Sequence, residues 1–134
     1  SIAGVKIEMI VRGICCLIPG NSEYSKNIEA KSIVDKYLEH TRFFIFCSAG
    51  ENKTYISSAD WMTRNLDNRI EVTCPILDPN NRKEILEIFN IYWFDNLKSR
   101  KLNSFKINEY SKNKKEPIKS QNSIYNYYKK NLEK

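Results

Sequence analysis

His40 is the only histidine of this 134-residue chain, and Arg42 follows two positions later in His40-Thr41-Arg42-Phe43-Phe44-Ile45-Phe46. In extended backbone, residues two apart point to one side, so an imidazole and a guanidinium face the same ligand there. The imidazole donates a hydrogen bond or a proton near neutral pH. The guanidinium grips two phosphate oxygens with a permanently charged planar fork. A second arginine, Arg12, interrupts the apolar run Ile10-Val11-Arg12-Gly13-Ile14-Cys15-Cys16-Leu17. It falls at a strand end, where α/β sites commonly open, and is a candidate phosphate clamp. Ser57-Ser58-Ala59-Asp60 brings small hydrogen-bonding groups to the end of another extended segment, with Asn65 and Glu71 downstream. This is the composition of an anion site. Each residue also has a plainer reading. An arginine serves in surface ion pairs, and a lone histidine is commonly structural. Ser57, Ser58, Asp60 and Asn65 build turns and local backbone hydrogen bonds. Glu71 either orients His40 from a neighbouring strand or is an exposed strand residue.

The elements that must position these groups follow from periodicity. Residues 5–11 alternate as a strand running into the domain centre, and Pro19-Gly20-Asn21-Ser22 marks a loop. Ile33, Val34, Tyr37 and Leu38 fall at helical spacing, with Ser32 as N-cap, which predicts a short helix ending near His40. Residues 43–47, 53–59 and 69–76 predict three strands, the first two joined by a hairpin turn at Gly50-Glu51-Asn52-Lys53. Asp78-Pro79-Asn80-Asn81 opens a helix whose wide apolar face is Ile85, Leu86, Ile88, Phe89, Tyr92 and Trp93. Residues 98–117 form an irregular basic segment in which Leu102, Phe105 and Ile107 offer a short edge strand. Residues 118–134 predict a terminal helix folding back through Ile124, Tyr125, Tyr128 and Leu132. Interleaved strands and helices predict one α/β domain over 1–134, a mixed sheet flanked by helices on both faces.

A formal charge of +6 with a pI near 9.1 favours polyanionic partners: nucleotides, nucleic acid, inorganic polyphosphate or an acidic membrane surface. The basic stretch from Lys112 to Lys119 either lines the path of a polyanion or is a solvated face. Cys15, Cys16, Cys47 and Cys74 lie beside apolar runs without CxxC spacing, which predicts reduced, buried thiols in a cytosolic protein. With a single histidine, a structural zinc site is not expected. No apolar run approaches the ~20 residues of a membrane span, and the first residues lack the pattern of a secretory signal. The expected location is cytoplasmic, with membrane association left open. Ser1 has no methionine before it and a strand is imminent at Val5, so the chain is expected to be cut from a longer one.

His40-x-Arg42, Ser57-Ser58-Ala59-Asp60, Asn65 and Glu71 resemble the phospholipase D superfamily, which carries a His-x-Lys motif, a downstream Ser/Asn cluster and later Asn and Glu. Arg42 replaces the lysine, and Cys47 stands where the superfamily places an aspartate, which counts against phosphodiester hydrolysis. A closer resemblance is to histidine-phosphorylated polyphosphate kinases, whose C-terminal part contains two phospholipase D-like halves. The run from Ile10 to Leu17, the segment ending in Tyr37-Leu38-Glu39-His40, the block from Tyr55 to Asp67 with Arg69-Ile70-Glu71-Val72, and the segment from Ile118 to Tyr128 carry it.

The resemblance implies a phospholipase D-like half serving as the C-terminal catalytic domain of an enzyme that moves the terminal phosphate of ATP reversibly onto inorganic polyphosphate. It implies a phosphohistidine in the preceding domain, which makes His40 a second, catalytic histidine. Arg12, His40 and Arg42 would contact nucleotide or phosphate, supported by Ser58, Asp60, Asn65 and Glu71. Mg2+ would take its ligands upstream, with no metal ligand in this chain. The implied partners are ATP and ADP, polyphosphate, upstream domains of the same chain and further copies in a homo-oligomer, with no specific nucleic acid. Two other classes stay open: a phospholipase D-like phosphodiesterase, and a noncatalytic basic module binding nucleic acid through Lys, Arg and Tyr.

Overall fold

The computed structural model describes residues 1–103, 108–113 and 115–133. In chain order the elements are β1 (Ile7–Ile10), β2 (Ile28–Ile33), β3 (Phe43–Phe46), β4 (Lys53–Ser57), α1 (Thr63–Leu66), β5 (Thr73–Ile76), α2 (Pro79–Trp93), β6 (Ser99–Leu102) and α3 (Ser120–Leu132). The α/β class holds, but the strands form two three-stranded sheets, β1-β2-β6 and β3-β4-β5, in place of one mixed sheet. Both edges of β2 are taken, by β1 and β6, and β3, β4 and β5 pair among themselves. The chain divides into two units, residues 1–39 with 90–134, and residues 40–89.

In the first unit β2 runs parallel to β1 and antiparallel to β6, with Ala30 opposite both Met9 and Leu102. Ala30 and Ile33 are buried and form the core with Trp93. The helix expected after Ser32 does not form. Ser32 and Ile33 are instead the last two residues of β2, while Val34, Tyr37 and Leu38 stay exposed. A β-branched residue such as Ile33 fits a central strand better than a helix, and burying it decides between two periodicities that a short apolar run cannot separate. The Lys31 ammonium donates to the carbonyl of Trp93, the last residue of α2, at 2.6 Å and lies 4.2 Å over its ring. A cation is favourable at a helix C-terminus, although burial pushes this lysine below its ordinary pKa.

After α2 the chain is organised by two buried polar residues. Asp95 accepts the backbone N–H groups of Leu97, Lys98 and Ser99 through Oδ1 and that of Ser120 through Oδ2. The N-cap of α3, Lys119, makes no side-chain capping bond, so Asp95 satisfies one of this helix's orphan donors from 25 residues away. Asn96 holds the neighbouring segment, with its amide donating to Asn113 Oδ1 and Glu116 O and its Oδ1 accepting from Ile118 N–H. The stretch read as irregular therefore contains β6 and is pinned beyond it; Phe105 and Ile107 lie outside the described residues. The terminal helix forms, but on its expected apolar face Tyr125, Tyr128 and Leu132 are exposed and Ile124 is half-buried.

In the second unit β4 is central and antiparallel to both neighbours. Pro75 is tolerated because β5 is an edge strand, where the missing N–H leaves no ladder position empty. Thr54, Ala59 and Ile88 are buried, with Phe43 edge-on to Phe89 and Phe44 stacked on Trp61. The turn between β3 and β4 begins earlier than expected, in a 3-10 turn over Ser48–Gly50 closed by a Gly50 N–H bond to Cys47 O. Three successive residues there have positive φ, of which only Gly50 adopts it without steric cost. Asp78 caps α2 as expected, accepting from Asn81 N–H at 2.9 Å, with Pro79 at the first helical position.

The cysteines are free, but Cys16, Cys47 and Cys74 are exposed and Cys15 is half-buried, against the expectation of core thiols. Cys15 and Cys16 lie in the segment after β1, which forms no strand, Cys47 follows β3, and Cys74 lies in the edge strand β5, so none sits in a central strand. Among the described residues, no helix is long and apolar enough to cross a membrane.

Candidate phosphate-handling site

The extended approach to β3 places His40 and Arg42 together, as their spacing predicts. The register of β3 with β4 continues one step before the strand, where Ser57 N–H donates to Arg42 O at 2.9 Å. Arg42 Nη1 lies 3.4 Å from His40 Nδ1 and Nη2 lies 3.5 Å from Nε2. A guanidinium only donates, and a neutral imidazole has one bare nitrogen, so one of these approaches at most is a hydrogen bond. The other is contact of the two planes. His40 is exposed, so its ring is accessible to a ligand.

Asp60 sets the position of Arg42. Its carboxylate accepts from Nε at 2.7 Å and from Nη2 at 3.1 Å, a fork-to-fork pair whose side chains are 17% and 24% exposed. That places the pair between an exposed bridge of negligible value and a fully buried one. Arg42→Lys keeps the charge and loses the fork. Denaturant unfolding is expected to show a loss of about 1–2 kcal/mol, since a charge-assisted contact carries roughly that much.

The rest of the small-residue cluster forms a separate network. Ser58 Oγ donates a very short bond to Glu71 Oε2, and Asn65 Nδ2 donates to Glu71 Oε1 at 2.7 Å. Ser58 Oγ also accepts from Val72 N–H at 3.0 Å. These bonds hold the Glu71 carboxyl below its ordinary pKa, Ser58 first and Asn65 next. Glu71 is thus bonded to Ser58 and Asn65 in the role considered for His40, and it ties the short α1 to the end of the sheet. Ser57 takes the plainer role anticipated for it, pairing with Thr73 Oγ1 and accepting from Ala59 N–H.

Arg12 is held within the first unit, where Nη1 donates to the carbonyl of Glu39 at 3.1 Å. Glu39 is not among the residues singled out by composition. Its carboxylate accepts from Tyr92 OH and from Gln121 Nε2, both at 2.7 Å. Gln121 carried no sequence signal for this role, and Tyr92 read simply as part of an apolar helix face. Among the described residues no three His, Cys, Asp or Glu side chains group together, and Asp60 and Glu71 are bonded to Arg42 and to Ser58 and Asn65.

Arginines set on fixed acceptors, and a guanidinium beside an accessible imidazole, are groups of the kind that bind phosphate oxygens. Comparison with known proteins narrows this. Residues 1–121 match the family described as polyphosphate kinase C-terminal domain 2. The chain is 47% identical over 135 residues to a polyphosphate kinase of Vibrio parahaemolyticus, covering 100% of this chain and 19% of that protein. It is 45% identical over 130 residues to that of Escherichia coli, covering 96% and 19%. The crystal structure of polyphosphate kinase from Porphyromonas gingivalis superposes with a TM-score of 0.94 at 48% identity, over 98% of this chain and 20% of that one. The chain belongs to the polyphosphate kinase family, as its C-terminal domain. It spans about a fifth of the length of the relatives it matches.

Proposed function

We propose that this domain supplies nucleotide and phosphate contacts to a polyphosphate kinase that moves the terminal phosphate of ATP reversibly onto inorganic polyphosphate. The observation that carries the reading is the accessible His40 ring backed by Arg42, itself fixed by Asp60. Phosphoryl transfer asks mainly for alignment and for stabilisation of charge on the moving group. A preset cation beside an imidazole answers both needs, with Arg12 as a second phosphate contact. His40 acts as general acid or electrostatic partner at the leaving oxygen. In this reading the phosphohistidine and the magnesium ligands belong to the remainder of the enzyme, which works as a homo-oligomer in the cytoplasm.

The test compares this chain alone with a full-length chain carrying it, in ATP-dependent polyphosphate elongation. Elongation is expected from the full-length chain and none from this domain by itself. Robust synthesis by the domain alone would sink the assignment of the phosphate carrier to another part of the enzyme. Hydrolysis of a model phosphodiester by the full-length chain, with no elongation, would transfer the domain to the phosphodiesterase reading.

A further inference from the structure

Arg12 is anchored on a stretch of chain that has no helix or strand of its own. Residues 34–39 leave β2 without regular structure, yet the carbonyl that accepts from Arg12 Nη1 belongs to Glu39 within it. A carbonyl directs a guanidinium only if its peptide is itself held. Here the holding comes from two distant residues. Gln121, in the first turn of α3, brackets the backbone of Tyr37: its Oε1 accepts from Tyr37 N–H at 3.0 Å and its Nε2 donates to Tyr37 O at 2.8 Å. The same Nε2 donates to Glu39 Oε1, and Tyr92 OH donates to Oε2. Five hydrogen bonds therefore run from Arg12 through Glu39 and Tyr37 to Tyr92 and Gln121. Glu39 touches the arginine through its carbonyl and both anchoring side chains through its carboxylate.

We infer that Glu39 is a positioning residue for Arg12: its carboxylate, clamped by Tyr92 and Gln121, fixes the peptide carbonyl that aims the guanidinium. This rests on the reading of Arg12 as a phosphate contact in phosphoryl transfer. A clamp of this kind matters because a displacement of about 1 Å in a group that aligns reactants costs roughly 10²-fold in rate. The role belongs to hydrogen bonding geometry, with no requirement for negative charge. Glutamine can present its carbonyl oxygen to Gln121 Nε2 and its amide to the Tyr92 hydroxyl oxygen, which accepts as well as donates.

The experiment is a double-mutant cycle in a full-length polyphosphate kinase chain carrying this domain, measuring kcat and KM for ATP in polyphosphate elongation. Glu39→Ala is expected to lower kcat by about 10- to 10²-fold, and Glu39→Gln to recover most of it. In an Arg12→Ala background, Glu39→Ala is expected to add less than about a twofold further loss, because residues acting as one unit are not additive. The same fold-loss with and without Arg12 would overturn the inference and make Glu39 an independent structural residue. If Glu39→Ala fails to fold, Gln121→Ala in the same cycle replaces it, with the same two readings. Should Arg12→Ala itself leave kcat unchanged, the reading of Arg12 as a phosphate contact fails. If Arg12→Ala impairs turnover while the cycle is additive, only the role of Glu39 fails.

Discussion

His40→Ala, made in a full-length chain carrying this domain, is expected to lower the rate of ATP-dependent polyphosphate formation by about 10²–10³-fold, with the domain still folded. The imidazole is exposed and its contacts with Arg42 are long, so its removal leaves no buried group unpaired. The loss should therefore fall on chemistry and leave stability nearly unchanged. A parallel fall in kcat and kcat/KM would mark an interaction made in the transition state, whereas a rise in KM alone would mark uniform substrate binding. His40→Gln separates the two roles proposed for the ring. It keeps a hydrogen-bond donor and loses the ability to transfer a proton near neutral pH, so recovery with Gln favours electrostatic support over general acid catalysis. Arg12→Ala is expected to give a loss of similar size. Full activity in both variants would remove these residues from the site.

Asp95→Ala is expected to cost the largest amount of stability, about 3–5 kcal/mol, because it takes a charged acceptor from several backbone N–H groups at once, each costing about 1–3 kcal/mol when left buried and unpaired. Asp95 is 1% exposed and accepts four backbone N–H groups, three in the turn after α2 and one at the start of α3. With a net stability of 5–15 kcal/mol typical of a domain, that loss is a large fraction of the total. Hydrogen exchange should report it locally, as faster exchange at Leu97, Lys98, Ser99 and Ser120. Asp95→Asn is expected to be milder, about 1–3 kcal/mol. Its Oδ1 still serves the turn, while its amide faces the Ser120 N–H, donor against donor.

The pH dependence has a definite sign. Burial raises the Asp95 carboxyl pKa, but the N–H groups of Ser120, Lys98 and Ser99 outweigh it and hold the carboxyl below its ordinary 3.8. The unfolded state then binds the proton more readily than the folded one. The stabilisation is present above that ordinary value and is lost as pH falls through the lower folded one. Acid unfolding below about pH 4 should weaken this contribution in the wild-type chain, and Asp95→Asn should lack that part of the profile.

The legible parts of this protein are those written within a few residues of one another. α2 declared itself through Asp78, Pro79 and a wide apolar face, because capping and helical periodicity are local. His40 and Arg42 read correctly as neighbours because two steps of extended chain put side chains on one side. The helix expected over 32–40 went astray where Ile33, Val34, Tyr37 and Leu38 satisfied a helical spacing. The pairing of β2 with strands on both sides settled it otherwise. The cysteines lie outside the core for a related reason: an apolar run does not reveal whether it becomes a central strand, an edge strand or a loop.

Within the candidate site, the residue types were visible and their partners were not. Ser58, Asp60, Asn65 and Glu71 stood out as one polar cluster, but folding splits them. Asp60 serves Arg42 from 18 residues away, while Ser58 and Asn65 close on Glu71. Glu39 and Gln121 carried no comparable signal, since their shared bond spans 82 residues and Gln121 reaches Tyr37 across 84; Asp95 holds its own turn locally, but its bond to Ser120 spans 25. By itself the sequence determined the local elements, the basic character, the imidazole-guanidinium pair and the kinship. Only the tertiary structure decided which carboxylate holds which donor. A hydrogen bond needs its two groups within about 3 Å in a narrow range of angles, and for distant residues that closeness comes from strand register and helix placement, which no short stretch of chain contains.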